Sequence, residues 1–376
     1  AKLTITQARG FIQTYTDVNS RTIKVIPVIH PATTFHTPYW QRRCQLDWKR
    51  IAGEAQHKRL NLWQAEHMTR PTIGDLYAYV DDVVKHRDIA LSVDIETWGR
   101  RVSCVGFAQS DKFSLTIPTT LKYWNDQTTL DEVWQIIRAL CACDAPKALQ
   151  NGLYDAYWLA DFDCRLRNYE YETHGMHHAL DAADDHNLAY MASIEMRMMP
   201  WKHIPKDSEA SFRDAPSDEL QRAITGDRKD DLAIYNGIDC CVQWKLADIF
   251  EPRLHKAGLW DLYTTHYVQM IKPLLAMMRH GIAVDEDARK RRYDVLRSKI
   301  DIIQEGLLAA TSGVDLRGKP NKKRLAAGKL RDLSSKKVAT WLYETMRIPK
   351  HVNRKTSRVS ADEIGIRKAL LKHPKV

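Results

Sequence analysis

The chain has 376 residues, 44% of them apolar and 28% charged, with a formal net charge of +10. That is ample apolar material for packed cores and more length than one average domain uses, so two or three domains are expected and a disordered chain is excluded. No run of about 18 apolar residues occurs, which excludes a membrane-spanning helix.

The N-terminus shows no basic-then-apolar leader pattern and no initiator Met, so the sequence reads as a fragment or a processed chain. Seven cysteines, including Cys141/Cys143 and Cys240/Cys241, lack zinc-ligand spacing and read as reduced thiols of a cytosolic protein. Charge is uneven along the chain. Residues 1–70 carry 11 Lys/Arg against 4 Asp/Glu, residues 71–255 carry 19 against 31, and residues 256–376 carry 27 against 12. An acidic middle between basic ends suits a metal-dependent catalytic unit flanked by surfaces that attract a polyanion, and equally suits ordinary solvated surface.

In chain order, Lys24–Ala32 reads as a short apolar strand ending at a Pro-bounded turn, and residues 39–60 as a basic amphipathic helix. Thr69–Thr72 looks like a linker. A strand-rich block follows at 89–95, Val102–Ala108 and Phe113–Ile117. Leu130–Cys141 has helical periodicity with Thr129-Leu-Asp-Glu as its cap. Lys147–Gln150 reads as a strand, Tyr154–Phe162 as a helix, 200–229 as a polar surface loop and Asp230–Phe250 as a strong helix. From about 257 the pattern is helical and basic, with a Gly/Lys-rich break at 313–323. Strands followed by alternating helix and strand argue for an α/β core in the middle block.

Chemistry concentrates at Leu91-Ser-Val-Asp94-Ile-Glu96-Thr97. Positions i and i+2 of a strand share a face, so Asp94 and Glu96 project together from a rigid apolar run. Two carboxylates that close raise each other's pKa unless a cation joins them, and hard divalent ions take such oxygen ligands. The pair suggests a metal site and phosphodiester chemistry. Asp207-Ser-Glu209 has the same spacing but no strand before it, and reads as solvated charge. In Gln150-Asn151-Gly152-Leu-Tyr154-Asp155 a strand ends, Gly152 permits a sharp turn, and Asp155 opens a helix either as a capping carboxylate or as a metal ligand. Tyr235 and Asp239 lie i, i+4 on one helix face, a spacing shared by Tyr77/Asp81 and Tyr157/Asp161.

The order of these elements resembles the three motifs of the DEDD exonucleases in their tyrosine variant, over roughly residues 72–255. Gln150–Asp155, Tyr235-Asn-x-x-Asp239, His186–Ser193 and Trp201-Lys202 resemble the proofreading domains of family A DNA polymerases, especially those of bacteriophages. The resemblance implies a ribonuclease H-like α/β exonuclease domain, its mixed sheet flanked by helices, followed by a mainly helical thumb-like segment. It implies that Asp94, Glu96, Asp155 and Asp239 hold two Mg²⁺ ions (Mn²⁺ able to substitute) at a scissile phosphate. Tyr235 would orient the attacking water, and Thr97 and Asn151 would seat the terminal nucleotide. The implied substrate is a single-stranded 3′ end of DNA at a primer-template.

Ile271–Asp285, Leu333–Tyr343 and Arg358–Glu363 resemble the opening of the family A polymerase region, and no palm motif follows within the chain. Val25–Ala32 with a helix containing Asp47 resembles the closing strand and His-Pro turn of uracil-DNA-glycosylase-like proteins, whose histidine contacts a flipped base; His30 read alone is a turn residue. The expected division is 1–60 as glycosylase-like remnant, 70–255 as exonuclease and 256–376 as the start of a polymerase domain. The expected setting is the cytoplasm of a phage-infected bacterium, with the rest of the polymerase chain as partner and any processivity factor open. A stand-alone ribonuclease resembling the RNase D type and a non-catalytic DNA-binding module are the competing readings.

Overall fold

The computed structural model describes residues 5–37, 39–57, 62–99, 101–202, 231–318, 334–353, 358–359, 366–367 and 371. The chain divides into two units, Ala1–Gly281 and Ile282–Val376. The expected loop at 200–229 falls outside the described residues from 203 onward, as do Asp207 and Glu209.

The first unit is organised by a six-stranded sheet whose strands are β3 (Glu66–Met68), β4 (Leu91–Trp98), β5 (Arg101–Ala108), β6 (Phe113–Pro118), β7 (Lys147–Leu149) and β8 (Tyr169–Glu172). Their order is β3-β6-β5-β4-β7-β8. Strands β4, β5 and β6 form an antiparallel meander, while β7 runs parallel to β4, β8 parallel to β7, and β3 parallel to β6. This mixed sheet flanked by helices is the α/β arrangement expected from the sequence. Strand β5 is buried at every residue after Arg101, without polar alternation, because helices cover both faces of the sheet.

One face packs against α2 (Ile73–Lys85) and α3 (Gln127–Ala142) through Leu76, Val83, Val133, Ile137 and Leu140. Each fully buried side chain of this size contributes about 1.5–3 kcal/mol relative to exposure. The other face carries the long helix α7 (Asp231–Ala257). Among the described residues, short helices α4 (Leu153–Leu159), α5 (Thr173–Leu180) and α6 (Leu188–Glu195) lie between β7 and α7, and α8 (Gln269–His280) follows α7.

Several local expectations shift. Thr72 is not linker but the N-cap of α2, in a capping box with Asp75. Helix α3 starts three residues earlier than expected because Asp126, not Thr129, is its cap and accepts the Thr129 N–H at 2.8 Å. The three-residue edge strand β3 carries no apolar pattern and escapes a periodicity reading. The run 24–32 contributes only its start to a strand: β2 (Thr22–Val25) pairs with β1 (Gln13–Thr16) in a hairpin, and Pro27 and Pro31, lacking N–H donors, end it there.

The amino-terminal segment packs onto the same unit. Helix α1 (Trp40–Ala55) holds Arg9 in a buried pair with Asp47 at 2.5 Å, and its Glu54 accepts from Arg197 at 2.5 Å. Phe11 packs edge-on against Trp201, with ring centroids 6.0 Å apart. His30 is exposed and its Nδ1 accepts the Ala32 N–H at 3.2 Å, which is turn chemistry. In the second unit, α9 (Glu286–Ala310) is capped by Asp285, and Leu316, Val338, Trp341, Leu342, Tyr343 and Ile348 form a small apolar cluster.

Helix α7 sits unusually close to the sheet. A Cβ at Gly106 would overlap Asn236 Oδ1 and Cys240 Sγ, and one at Gly237 would overlap Ser114 Oγ and His67 Nδ1. Asn236 is fully buried and cannot give way. Gly106→Ala is therefore expected to cost about 1–3 kcal/mol, measured as a lower urea midpoint. A midpoint equal to the parent's would show that the helix does not need this approach.

Candidate metal centre

Strand β4 delivers the first two carboxylates as the sequence predicts. Asp94 pairs with Gly106 and Glu96 with Cys104 across β4–β5, and a bulge at Glu96/Thr97 breaks the register immediately after. Bulges re-aim side chains, here those at the strand's exit. Because Gly106 lacks a side chain, α7 crosses β4 at this level and brings Asp239 to the pair. Oxygens of Asp94, Glu96 and Asp239 all lie within 4.8 Å of one another.

Asp94 is held from the helix. Asn236 Nδ2 donates to its Oδ2 at 2.8 Å and to its backbone carbonyl at 3.1 Å, while Gln243 Nε2 donates to its Oδ1 at 2.9 Å. Asn236, Asp239 and Gln243 stand at i, i+3 and i+7, one polar stripe on a helix otherwise lined by Cys240, Cys241, Val242 and Leu246. That stripe is the signal by which Gln243 could have been found from sequence.

Asp155 lies beside the trio but outside it, in the first turn of α4. Its Oδ1 accepts the Ile95 N–H of β4 at 2.9 Å, so the carboxylate reaches across to the strand and does not cap its own helix. Gly152 is needed for room, not for the turn. The left-handed residue is Asn151, with φ of 56°, whereas Gly152 is helical and a Cβ there would overlap Tyr169 Oη and Leu149. Glu172 holds this turn, accepting the N–H of Asn151 at 2.7 Å and of Gly152 at 3.0 Å. The Asn151 side chain is exposed, and Thr97 Oγ1 bonds Tyr154 Oη at 2.6 Å. Thr97 and Tyr154, adjacent in sequence to Glu96 and Asp155, thus meet beside the carboxylates.

Lys202 and Trp201 complete the site. Lys202 Nζ donates to Asp239 Oδ2 at 2.6 Å and Oδ1 at 2.8 Å, and to Tyr235 Oη at 2.6 Å. Trp201 Nε1 donates to Asp239 Oδ1 at 2.6 Å. The phenol oxygen of Tyr235 therefore accepts from an ammonium. The two other Tyr-x-x-x-Asp pairs are engaged elsewhere: Asp161 with Arg279 at 3.1 Å, and Tyr77 with Glu132 at 2.8 Å.

Electrostatics agree with a cation site. Burial pushes the Asp94 carboxyl well above its ordinary value, and Asp239, Asp155 and Glu96 push it further against a smaller opposing effect of Lys202. Burial likewise lifts Asp155 to about 8, only partly countered by its backbone hydrogen bonds. An all-oxygen donor set with too little positive charge beside it fits a hard divalent ion.

No family model matches the chain, and no curated protein matches it. Solved structures similar to it include the POL domain of Pol1 from M. smegmatis in complex with DNA primer-template and dNTP, at TM-score 0.42 and 16% identity over 83% of this chain and 46% of that one. The catalytic core of RRP6 from Trypanosoma brucei is similar at TM-score 0.37 and 14% identity, over 68% of this chain and 65% of that one. The chain thus spans less than half of the first and just under two thirds of the second.

A carboxyl whose folded pKa is raised binds its proton more readily folded than unfolded, so it subtracts stability as pH climbs from about 4 towards about 8. The metal-free protein should lose thermal midpoint over that window, and added Mg²⁺ or Mn²⁺ should restore more of it at about pH 8 than at about pH 6. Asp155→Asn keeps the acceptor for Ile95 and should flatten the slope. Equal gains from metal at both pH values would sever the link between these carboxylates and the ion.

Proposed function

We propose that the chain is a metal-dependent 3′→5′ exonuclease that removes nucleotides from the 3′ end of DNA, as the proofreading part of a bacteriophage-type family A DNA polymerase. The observation that carries this reading is the meeting of Asp94 and Glu96 from β4 with Asp239 from α7, with Asp155 alongside. Asp94, Glu96, Asp155 and Asp239 would hold two Mg²⁺ ions, with Mn²⁺ able to replace them. Bound there, divalent ions neutralise charge on a phosphodiester and make water a nucleophile at neutral pH.

The chain's own groups do the positioning. Asn236 and Gln243 fix both oxygens of Asp94, so its lone pairs are aimed before substrate arrives. Tyr235, its phenol pinned by Lys202, directs its hydroxyl to the attacking water. The ammonium of Lys202 keeps the Asp239 side of the site from repelling a phosphate. Thr97 and Asn151 contact the sugar and base of the terminal nucleotide. Binding through base stacking and backbone charge, without sequence readout, suits a nuclease that accepts any frayed end. The basic second unit and amino-terminal segment would hold the duplex part of a primer-template. On this reading residues 256–376 are the thumb-like start of a polymerase region, and the cell is a phage-infected bacterium.

Release of mononucleotides from a 3′-labelled single strand with Mg²⁺ tests the proposal. Asp94→Asn and Asp239→Asn should each lower the rate by more than the ~10–100-fold that loss of an outer-shell partner costs, whereas Gln243→Ala should fall within that range. Tyr235→Phe should lower kcat with little change in KM. Release that survives both Asp substitutions sinks the assignment, and a strong preference for RNA over DNA would favour the ribonuclease reading.

A further inference from the structure

Outside the carboxylate cluster, four imidazoles meet between α5 and α6. His174, His177 and His178 ride on α5, and His186 stands on the connection that follows. The ring centroid of His186 lies 5.1 Å from that of His174, 5.0 Å from that of His177 and 5.0 Å from that of His178. Metal–nitrogen bonds of about 2.1 Å place the ring centroids of two tetrahedral imidazole ligands about 5 Å apart. The rings are therefore near enough to share an ion once their ligating nitrogens turn toward one point.

The hydrogen bonds sort these rings into roles. Nδ1 of His186 faces Nδ1 of His177 at 2.7 Å, and Nδ1 of His178 faces Tyr267 Oη at 2.5 Å. In each ring one nitrogen is committed to a partner and Nε2 is the nitrogen left to ligate, the pattern by which metal-bound histidines are oriented. His174 and His178 are spaced i, i+4, which sets two imidazoles on one helix face in metal-binding helices. The nearby carboxylates are spoken for, including Glu172, which lines the same cavity and accepts the N–H groups of Asn151, Gly152 and His174. Asp184 accepts from Tyr190 Oη at 2.5 Å, Asp185 pairs with Arg43 at 3.1 Å, and Asp181 pairs with Arg42. What remains is a nitrogen donor set, which suits Zn²⁺, Co²⁺ or Ni²⁺ and not Mg²⁺. His174 and His178 also line a cavity of about 290 Å³ together with Asn151 and Tyr267, which gives an ion a way in.

We propose that His174, His178 and His186 form a second metal site, for one divalent transition-metal ion, with His177 and Tyr267 orienting two of the ligands and a water from the cavity in the fourth position. Among the described residues only the carboxylate trio is already drawn in to ligand spacing. Closure of the histidine site needs a turn of the exposed His174 ring, whose last torsion is broad and cheap to change. A bound ion would clamp α5 to the segment leading into α6. Because Gln150 Nε2 donates to the His186 carbonyl at 2.8 Å, it would also steady the turn that carries Asn151.

Titration of the whole chain with Zn²⁺ after chelator treatment, by calorimetry and by the visible spectrum of a Co²⁺ replacement, tests this site apart from the carboxylates. One ion should bind with a tetrahedral Co²⁺ spectrum, and should still bind in the Asp94→Asn/Asp239→Asn double variant. His174→Gln, at an exposed position that leaves the fold intact by circular dichroism, should weaken binding at least tenfold, and His178→Gln likewise. The proposal fails if the parent chain binds no Zn²⁺ at low micromolar concentration, if binding disappears with the carboxylates, or if the His174→Gln/His178→Gln chain binds as the parent does.

Discussion

Everything in the candidate centre depends on how near α7 comes to the sheet. Asp94 and Asp239 are 145 positions apart by their numbers, and they meet because Gly106 and Gly237 remove the side chains that would otherwise hold helix and strands apart. The same approach lets Asn236 reach both the carboxylate and the backbone carbonyl of Asp94. Ser92 Oγ bonds Gln243 Oε1 at 3.1 Å, so the residue that holds Asp94 is itself held from β4. A helix seated even a methyl's width higher would lose these bonds together and would strand buried polar groups, each at a cost of about 1–3 kcal/mol.

Close seating creates an electrostatic problem that the fold leaves partly unsolved. Three carboxylates share a few ångströms with a fourth beside them, and the cation paired with Asp239 is Lys202. Self-repulsion of this kind is costly in a structural core and useful in a site that must capture a cation, because an ion then relieves strain as it binds. Elsewhere in the first unit buried carboxylates are paired locally, Asp47 with Arg9, and Glu54 with Arg197 and Lys24. The contrast between these closed pairs and the open carboxylate cluster is what separates scaffold from site. The amino-terminal segment serves the scaffold, since Phe11 supports Trp201, whose indole in turn fixes Asp239.

The strands that carry chemistry were legible from composition, because a run as apolar as Leu91–Val93 buried under helices on both faces has one plausible state. Asp94 and Glu96 followed from the two-residue period of a strand. Asp155 was not decidable along the chain: a carboxylate in the first turn of a helix is the right residue for a cap, and only the Ile95 N–H, 60 positions earlier, turns it toward the sheet. The role of Gly152 was misjudged for a related reason. Backbone freedom is a local property that a sequence advertises, whereas the Tyr169 hydroxyl that occupies its Cβ position comes from another strand. Strand β3 escaped notice because Glu66-His67-Met68 has no pattern of its own and is a strand only by pairing with β6.

The sequence by itself determined the types of the longer, periodic elements, the strand that presents Asp94 and Glu96, and the helix face that Tyr235 shares with Asp239, since these depend on periodicity and on neighbours within a few residues. Tertiary structure decided which of the similarly spaced pairs reaches the carboxylate cluster. Asp161 meets Arg279 and Tyr77 meets Glu132, while Asp239 meets Asp94, Lys202 and Trp201. It also revealed Gln243 and the ring of histidines around His186, whose partners lie far off along the chain or across a turn. The physical reason is that a carboxylate's or imidazole's chemistry is set by the charges and donors within about 4–6 Å of it, and those come from wherever the fold brings the chain back.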